Sequence, residues 1–221
     1  MPRPRPRGVR LVVAVAVAYA ALFGGAFYLG TGMNDDAGVG TVGPYQPDLT
    51  DPTNPRNIDS HWHTALGVYD CDHWLGDGTG KGLWLWPAIT PSGAPGQTGD
   101  PREYAGLHSH ADGVIHMEPD SAADAGANAT LGRYFELGGW SMSESGFDFL
   151  GVARSSGDRC DGKPGMVRWW VNGEEQRGNP ADLKLFDEDV VVVALLPADA
   201  APPGAPPSLA KAPWAQPAPS A

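Results

Sequence analysis

Apolar and polar positions divide the chain into one long apolar run, a patterned middle, and flanks rich in proline, glycine and polar residues. Residues 11–29, LVVAVAVAYAALFGGAFYL, carry no charge. As a helix they would span about 28 Å, enough for the hydrocarbon core of a bilayer. From His61 to Tyr69 apolar residues alternate sides, the period of a strand. Gly76 to Gly82 reads as a flexible turn, Leu83 to Trp86 as a short apolar strand, and Gly113 to Met117 as a second strand of the main sheet. Ala123 to Leu137 predicts a helix capped by Asn128 or Thr130, with Leu131, Tyr134, Phe135 and Leu137 on its apolar side and Gly138-Gly139 as its stop. Met166 to Val171 predicts a strand, Asn172-Gly173 a hairpin turn, and Glu174 to Arg177 the antiparallel return. After a tight turn at Asp187-Glu188-Asp189, Val190 to Leu196 is a continuous apolar, β-branched run that belongs in a central strand buried on both faces.

This pattern sets the expected organisation. Residues 1–10 are a basic cytoplasmic segment, 11–30 a transmembrane helix, 31–57 a linker, 58–197 a folded α+β domain, and 198–221 a Pro/Ala-rich tail expected to be extended or disordered. Arg3, Arg5, Arg7 and Arg10 precede the apolar run and no acidic residue comes before Asp35. That asymmetry orients the N-terminus to the cytoplasm and the domain outside, at the cell membrane. A cleaved signal peptide is the alternative, with Ala18-Tyr19-Ala20 as its small-x-small site. Cleavage there would leave ALFGGAFYLG as an apolar new terminus, which favours an uncleaved single-pass anchor.

Charge and cysteine count narrow the function classes. The net charge of −11 becomes −15 without the four N-terminal arginines. A nucleic-acid partner needs a basic surface and is excluded on that ground; a divalent cation or a basic partner fits better. The two cysteines, Cys71 and Cys160, allow one intramolecular disulfide, which an extracytoplasmic location favours over two reduced, buried thiols. Closing so long a loop contributes about 4 kcal/mol by restricting the unfolded chain.

The order strand, strand, helix, strand, short connection, strand resembles the β-grasp (ubiquitin-like) fold, a mixed sheet packed on one helix. The stretch VRWWVNGEEQRGNPADLKLFDEDVVVVALLP, residues 167–197, carries the likeness, and TLGRYFELGG, residues 130–139, stands where that fold has its helix. The stretch is similar to the small sulfur-carrier proteins of that fold. Their function requires a terminal Gly-Gly after the last strand, whereas Pro197-Ala198-Asp199 follows here, so the resemblance implies the fold and not the sulfur chemistry. His61-Trp62-His63 and the stretch Gly106 to His116, GLHSHADGVIH, also resemble an actinobacterial family of single-pass, membrane-anchored proteins. That likeness implies an anchored domain and carries no activity with it.

The candidate chemistry is imidazole. All six histidines, His61, His63, His73, His108, His110 and His116, fall between residues 61 and 116. Residues two apart on a strand project to the same face about 6–7 Å apart. On the first strand Trp62, Leu66 and Val68 share the parity expected to face the helix, leaving His61 and His63 on the other side. On the second, Ile115 and Met117 leave His116 on that same uncovered side. His108 and His110 precede the second strand and can fold over it, and Asp112 can add an oxygen ligand or fix an imidazole tautomer. Three or four neutral imidazoles suit a Zn or Cu ion; histidines with no metal, held on the surface or by hydrogen bonds, are the bland alternative. His73, beside Asp72 and Trp74, is expected outside the cluster.

Three functions fit these residues. One is a metal-binding domain that buffers, senses or hands over Zn or Cu. Another is a small metal-dependent hydrolytic enzyme, for which Asp112 or Glu118 would be the general base. The third is a metal-free interaction module using Trp169, Trp170 and the acidic surface. No Ser/His/Asp order, catalytic cysteine arrangement or nucleophile elbow is present. Gly76 to Gly82 lacks the spacing of a phosphate loop, and Asp70 and Asp72 lack the glycine and terminal glutamate of a calcium loop. Asn128-Ala129-Thr130 is a glycosylation sequon that helix capping explains equally well.

Overall fold

The computed structural model describes residues 44–58, 60–76, 105–110 and 112–216. The expected transmembrane helix, the strand at Leu83 to Trp86 and nearly all of the glycine-rich turn before it lie outside these residues. Among the described residues no helix is long and apolar enough to cross a membrane.

The fold is α+β, mostly sheet. Strand β1 (Trp62–Asp70) runs through the middle of the main sheet, and β2 (His73–Trp74) folds back on its end. The short β3 (Leu107–His108) and β4 (Val114–Met117) follow, then helix α1 (Leu131–Leu137). A meander of β5 (Ser141–Ser143), β6 (Gly146–Phe149) and β7 (Val152–Ser155) comes next, followed by β8 (Arg159–Cys160), β9 (Lys163–Val171), β10 (Glu174–Gln176) and β11 (Asp189–Pro197). The main sheet has the order β10-β9-β11-β1-β4-β3. Only the β1–β11 pair of this path is parallel; β4 lies antiparallel on the other side of β1.

Period-two alternation holds as the sequence implied. Trp62, Leu66 and Val68 of β1, Ile115 and Met117 of β4, and Val191, Val193 and Leu195 of β11 enter one core with Leu131, Tyr134 and Phe135 of α1. The Trp62 indole N–H donates to the Leu185 carbonyl, satisfying the polar end of a fully buried ring. On the opposite face Val192, Ala194 and Leu196 pack with Trp170. The run from Val190 is therefore covered on both sides, as its composition predicts. Asn172 (φ 52°) and Gly173 (φ 84°) turn β9 into β10, both in the left-handed region that such two-residue turns require.

Several expectations are corrected. The helix begins at Leu131 rather than Ala123. Thr130 has an extended backbone and its hydroxyl accepts from the Arg133 N–H, so the first turn is capped there. Upstream, Gly126 to Asn128 form only a 3₁₀ turn. Part of the expected linker is packed: the Tyr45 ring lies 4.9 Å from that of Trp62, and the buried Asn57 side chain holds the Asp48 backbone through two hydrogen bonds.

The tail is corrected as well. Residues 207–211 and 213–215 form 3₁₀ turns over the sheet face opposite α1. Ala212 joins Ala65 and Val114 in a small buried cluster with Leu209 and Trp214 at its margin, and the Ser208 hydroxyl donates to the Leu66 carbonyl. Proline-set turns and small alanines let this segment lie close to the strands without leaving many backbone groups unpaired. Gly67 is part of the fit, because a Cβ there would lie 2.5 Å from both the Pro206 Cβ and a Trp74 ring carbon.

Candidate metal centre

The histidines meet because three strands place them in register. β1 pairs with β4 so that His63 stands opposite His116, and β4 pairs with β3 so that His116 stands opposite His108. A row of three imidazoles thus crosses the sheet. His61 stands two residues before His63 on the same face, and His110 follows His108 into the loop. Ring centroids lie 4.7 Å apart for His63 and His116, 4.3 Å for His61 and His63, 4.5 Å for His110 and His116, and 5.5 Å for His108 and His116. His61, His63 and His116 each present one ligand atom, and these atoms lie within 4.8 Å of one another. That group could hold a metal ion.

The loop between His108 and His116 is shaped by its own polar contacts. Ser109 is buried, its hydroxyl donating to the Val114 carbonyl and lying 3.0 Å from the Tyr134 hydroxyl. Gly113 takes φ 76°, and the Asp112 carboxylate accepts from the Val114 N–H. These contacts turn the chain back so that Asp112 Oδ2 comes to 3.5 Å from His116 Nε2. Glu118 continues the outward parity of His116 and reaches His61, with Oε1 3.0 Å from Nε2. His108 Nδ1 lies 2.9 Å from the Ala105 carbonyl. A carbonyl can only accept, so Nδ1 carries the proton and Nε2 keeps a lone pair.

Burial favours the neutral form of three of these rings, His63, His108 and His110. Burial, then the neighbouring His116 and His61, lowers the His63 pKa from 6.5 to about 4. Burial also lowers His108 to about 4, against the opposing effect of its bond to Ala105. His110 is lowered by burial and by His116. Burial raises the Asp112 carboxyl, but the His116 and Val114 hydrogen bonds outweigh it and the net shift is downward. A carboxylate beside neutral imidazoles is a set of lone-pair donors at neutral pH, the protonation state that metal binding requires. Among the described residues His116 Nδ1 is buried without a hydrogen-bond partner. Such an orphaned nitrogen costs about 1–3 kcal/mol, which a ligand on it would offset.

The other expected positions fall apart from this site. His73 is exposed and paired with Asp72 at 2.8 Å, at the far end of β1, opposite Asp70 in register. Cys71 and Cys160 form the disulfide. They gather with Asp70 in space, but bonded sulfurs are not thiolate ligands, and Asp70 accepts two hydrogen bonds from Arg154, at 2.9 and 2.7 Å. Trp169 and Trp170 are buried rather than presented to a partner: the Trp169 N–H donates to the Gly178 carbonyl, and Arg168 stacks 5.0 Å over Trp170. The Glu118–His61 contact and the Ala105 carbonyl that sets the His108 tautomer were not read from the sequence. The signal for Glu118 was its parity with His116; nothing in the sequence pointed to Ala105. A shallow groove of about 340 Å³, lined by Ser60, His61, Glu118, Pro119 and Asp120, opens beside His61. No family model, curated protein or solved structure matches this chain.

Proposed function

We propose that this chain is a membrane-anchored, extracytoplasmic domain that binds Zn or Cu through its histidine cluster and buffers, senses or hands over the ion. The observation that carries the reading is the cross-strand row of His63, His116 and His108, with the ligand atoms of His61, His63 and His116 within 4.8 Å. Imidazole donors suit these two metals over Mg or Ca, which prefer oxygen. The location rests on the uncharged run at residues 11–29 behind four arginines, and is supported by the disulfide. The β4-β1-β11-β9-β10 order, with parallel β1 and β11 at its centre and one helix across a face, supports a β-grasp core.

The partial exposure of the cluster suits an exchanging site better than a sealed structural one. His61 keeps 51% of its side chain in contact with solvent, whereas His116 keeps 12%. The test is metal content and exchange. Full-length chain in mild detergent, stripped and then exposed to Zn or Cu, is expected to retain stoichiometric metal and release it to a chromogenic chelator. Failure to retain either metal, with the chain folded, overturns the reading. The groove beside His61 favours one further reading, a hydrolytic centre with Glu118 as base. Metal-dependent ester or peptide turnover, lost in Glu118→Gln with metal still bound, would establish it.

A further inference from the structure

We propose that the cluster holds two metal ions side by side: one on His61, His63 and His116, and a second on His108, His110 and Asp112. This rests on the metal-binding reading above and adds a second site, with its own ligands and stoichiometry.

The first argument is the number of donors. Five imidazoles and the carboxylates of Asp112 and Glu118 converge on one face of β1, β4 and β3. A tetrahedral ion takes four donors. Seven groups exceed one such ion and serve two, each with three or four protein ligands.

The second argument is the geometry of His108 and His110. Their Nε2 atoms face each other at 3.2 Å. Two imidazole nitrogens bound at about 2.0–2.1 Å to one tetrahedral ion stand about 3.3 Å apart. The pair is therefore already at ligand spacing. The Ala105 carbonyl holds the proton of His108 on Nδ1, at 2.9 Å, so its Nε2 lone pair points at the shared position. Without an ion, the His110 Nε2–H donates to that lone pair. With one, His110 shifts its proton to Nδ1 and both Nε2 atoms coordinate. The loop closed by Ser109 and Gly113 holds Asp112 beside His116, Oδ2 to Nε2 3.5 Å. Its carboxylate would have to turn from His116 to join His108 and His110 on the second ion, since these three are not gathered as closely as the first group.

The third argument is the position of His116 between the two groups. Its ring centroid is 4.7 Å from His63 on one side and 4.5 Å from His110 on the other. The two ions would sit either side of this ring, with Glu118, at 3.0 Å from His61 Nε2, as a further donor to the first.

The test is stoichiometry on the full-length chain in mild detergent, by Zn titration with elemental analysis and by electron paramagnetic resonance of the Cu(II)-loaded chain. The expected result is two equivalents of Zn per chain, and a Cu(II) spectrum with a half-field line from a coupled pair. His110→Ala is expected to fall to one equivalent and lose the half-field line. His61→Ala is expected to fall to one equivalent while His108 and His110 retain theirs. Circular dichroism on each variant shows that the fold is kept; if His110→Ala unfolds, Asp112→Asn replaces it, and if His61→Ala unfolds, His63→Gln replaces it, each with the same expected loss. One equivalent in the unaltered chain overturns the two-ion proposal and leaves the single-site reading standing. No bound metal overturns both. Two equivalents with uncoupled Cu(II) signals also overturn it, because the second ion would then lie elsewhere.

Discussion

The two ends of β1 present the same problem and meet it differently. At the C-terminal end, Asp70 is buried and Cys71 follows it in a left-handed backbone conformation (φ 57°). The chain supplies the partners there: Arg154 from β7 forks onto the carboxylate, and Cys160 from β8 closes the disulfide. At the N-terminal end, His63 stands in a row with His116 and His108, and His61 and His110 complete the group. The partners there are mostly one another, and two rings are held neutral by burial; among the described residues each end keeps one buried polar atom without a hydrogen bond, Asp70 Oδ1 at the first and His116 Nδ1 at the second. A cluster that the chain closes by itself is structural. The other end gathers nitrogen donors that the proposed ion would use.

Breaking the closed end should have the largest effect on stability. Replacing Cys71 and Cys160 together with serine releases a loop of 89 residues in the unfolded chain, and the expected cost is about 4 kcal/mol in chemical denaturation. Metal uptake, read on the folded fraction, should be unchanged. Breaking the open end should do the reverse. His63→Ala is expected to weaken Zn or Cu binding at least about 100-fold by calorimetric titration, since it removes a ligand itself rather than a supporting contact. Its effect on the stability of the metal-free chain should be much smaller than that of the cysteine pair.

Acid sharpens the contrast next. The folded pKa values of His63 and His108, about 4, lie below their ordinary 6.5. The unfolded chain therefore takes up protons first as pH falls. The contribution of these neutral rings is fully present above about 6.5 and is lost progressively between about 6.5 and about 4. Metal-free chain should show a melting temperature that declines across this window, and His63→Gln should flatten the decline. The smallest effect belongs to His73, which is exposed and, among the described residues, is paired with Asp72. His73→Ala should change neither metal affinity nor melting temperature measurably.

The parity of the site was legible in the sequence, and its register was not. Period-two alternation placed His61, His63 and His116 on the face away from the helix, because each strand's apolar positions leave only that choice. It could not say that His63 stands opposite His116, since pairing offset depends on a loop whose geometry is set by Ser109, Asp112 and Gly113. The β5–β7 meander was missed altogether. Its second turn places Leu150 (φ 52°) and Gly151 (φ 80°) in the left-handed region, and leucine at such a position is no turn signal. The tail was misjudged for a related reason. Proline and alanine bury little surface, but small residues can lie close to a strand, and Gly67 leaves the space for them.

X-ray absorption at the metal edge of Zn- or Cu-loaded chain compares the two ends most directly, because one offers imidazole nitrogen and the other could offer thiolate sulfur only if its disulfide opened. The account predicts a shell of imidazole nitrogens at about 2.0–2.1 Å, with the outer-ring scattering of at least three histidines and no sulfur. A sulfur shell at about 2.3 Å would place the ion at the Cys71–Cys160 end and contradict it.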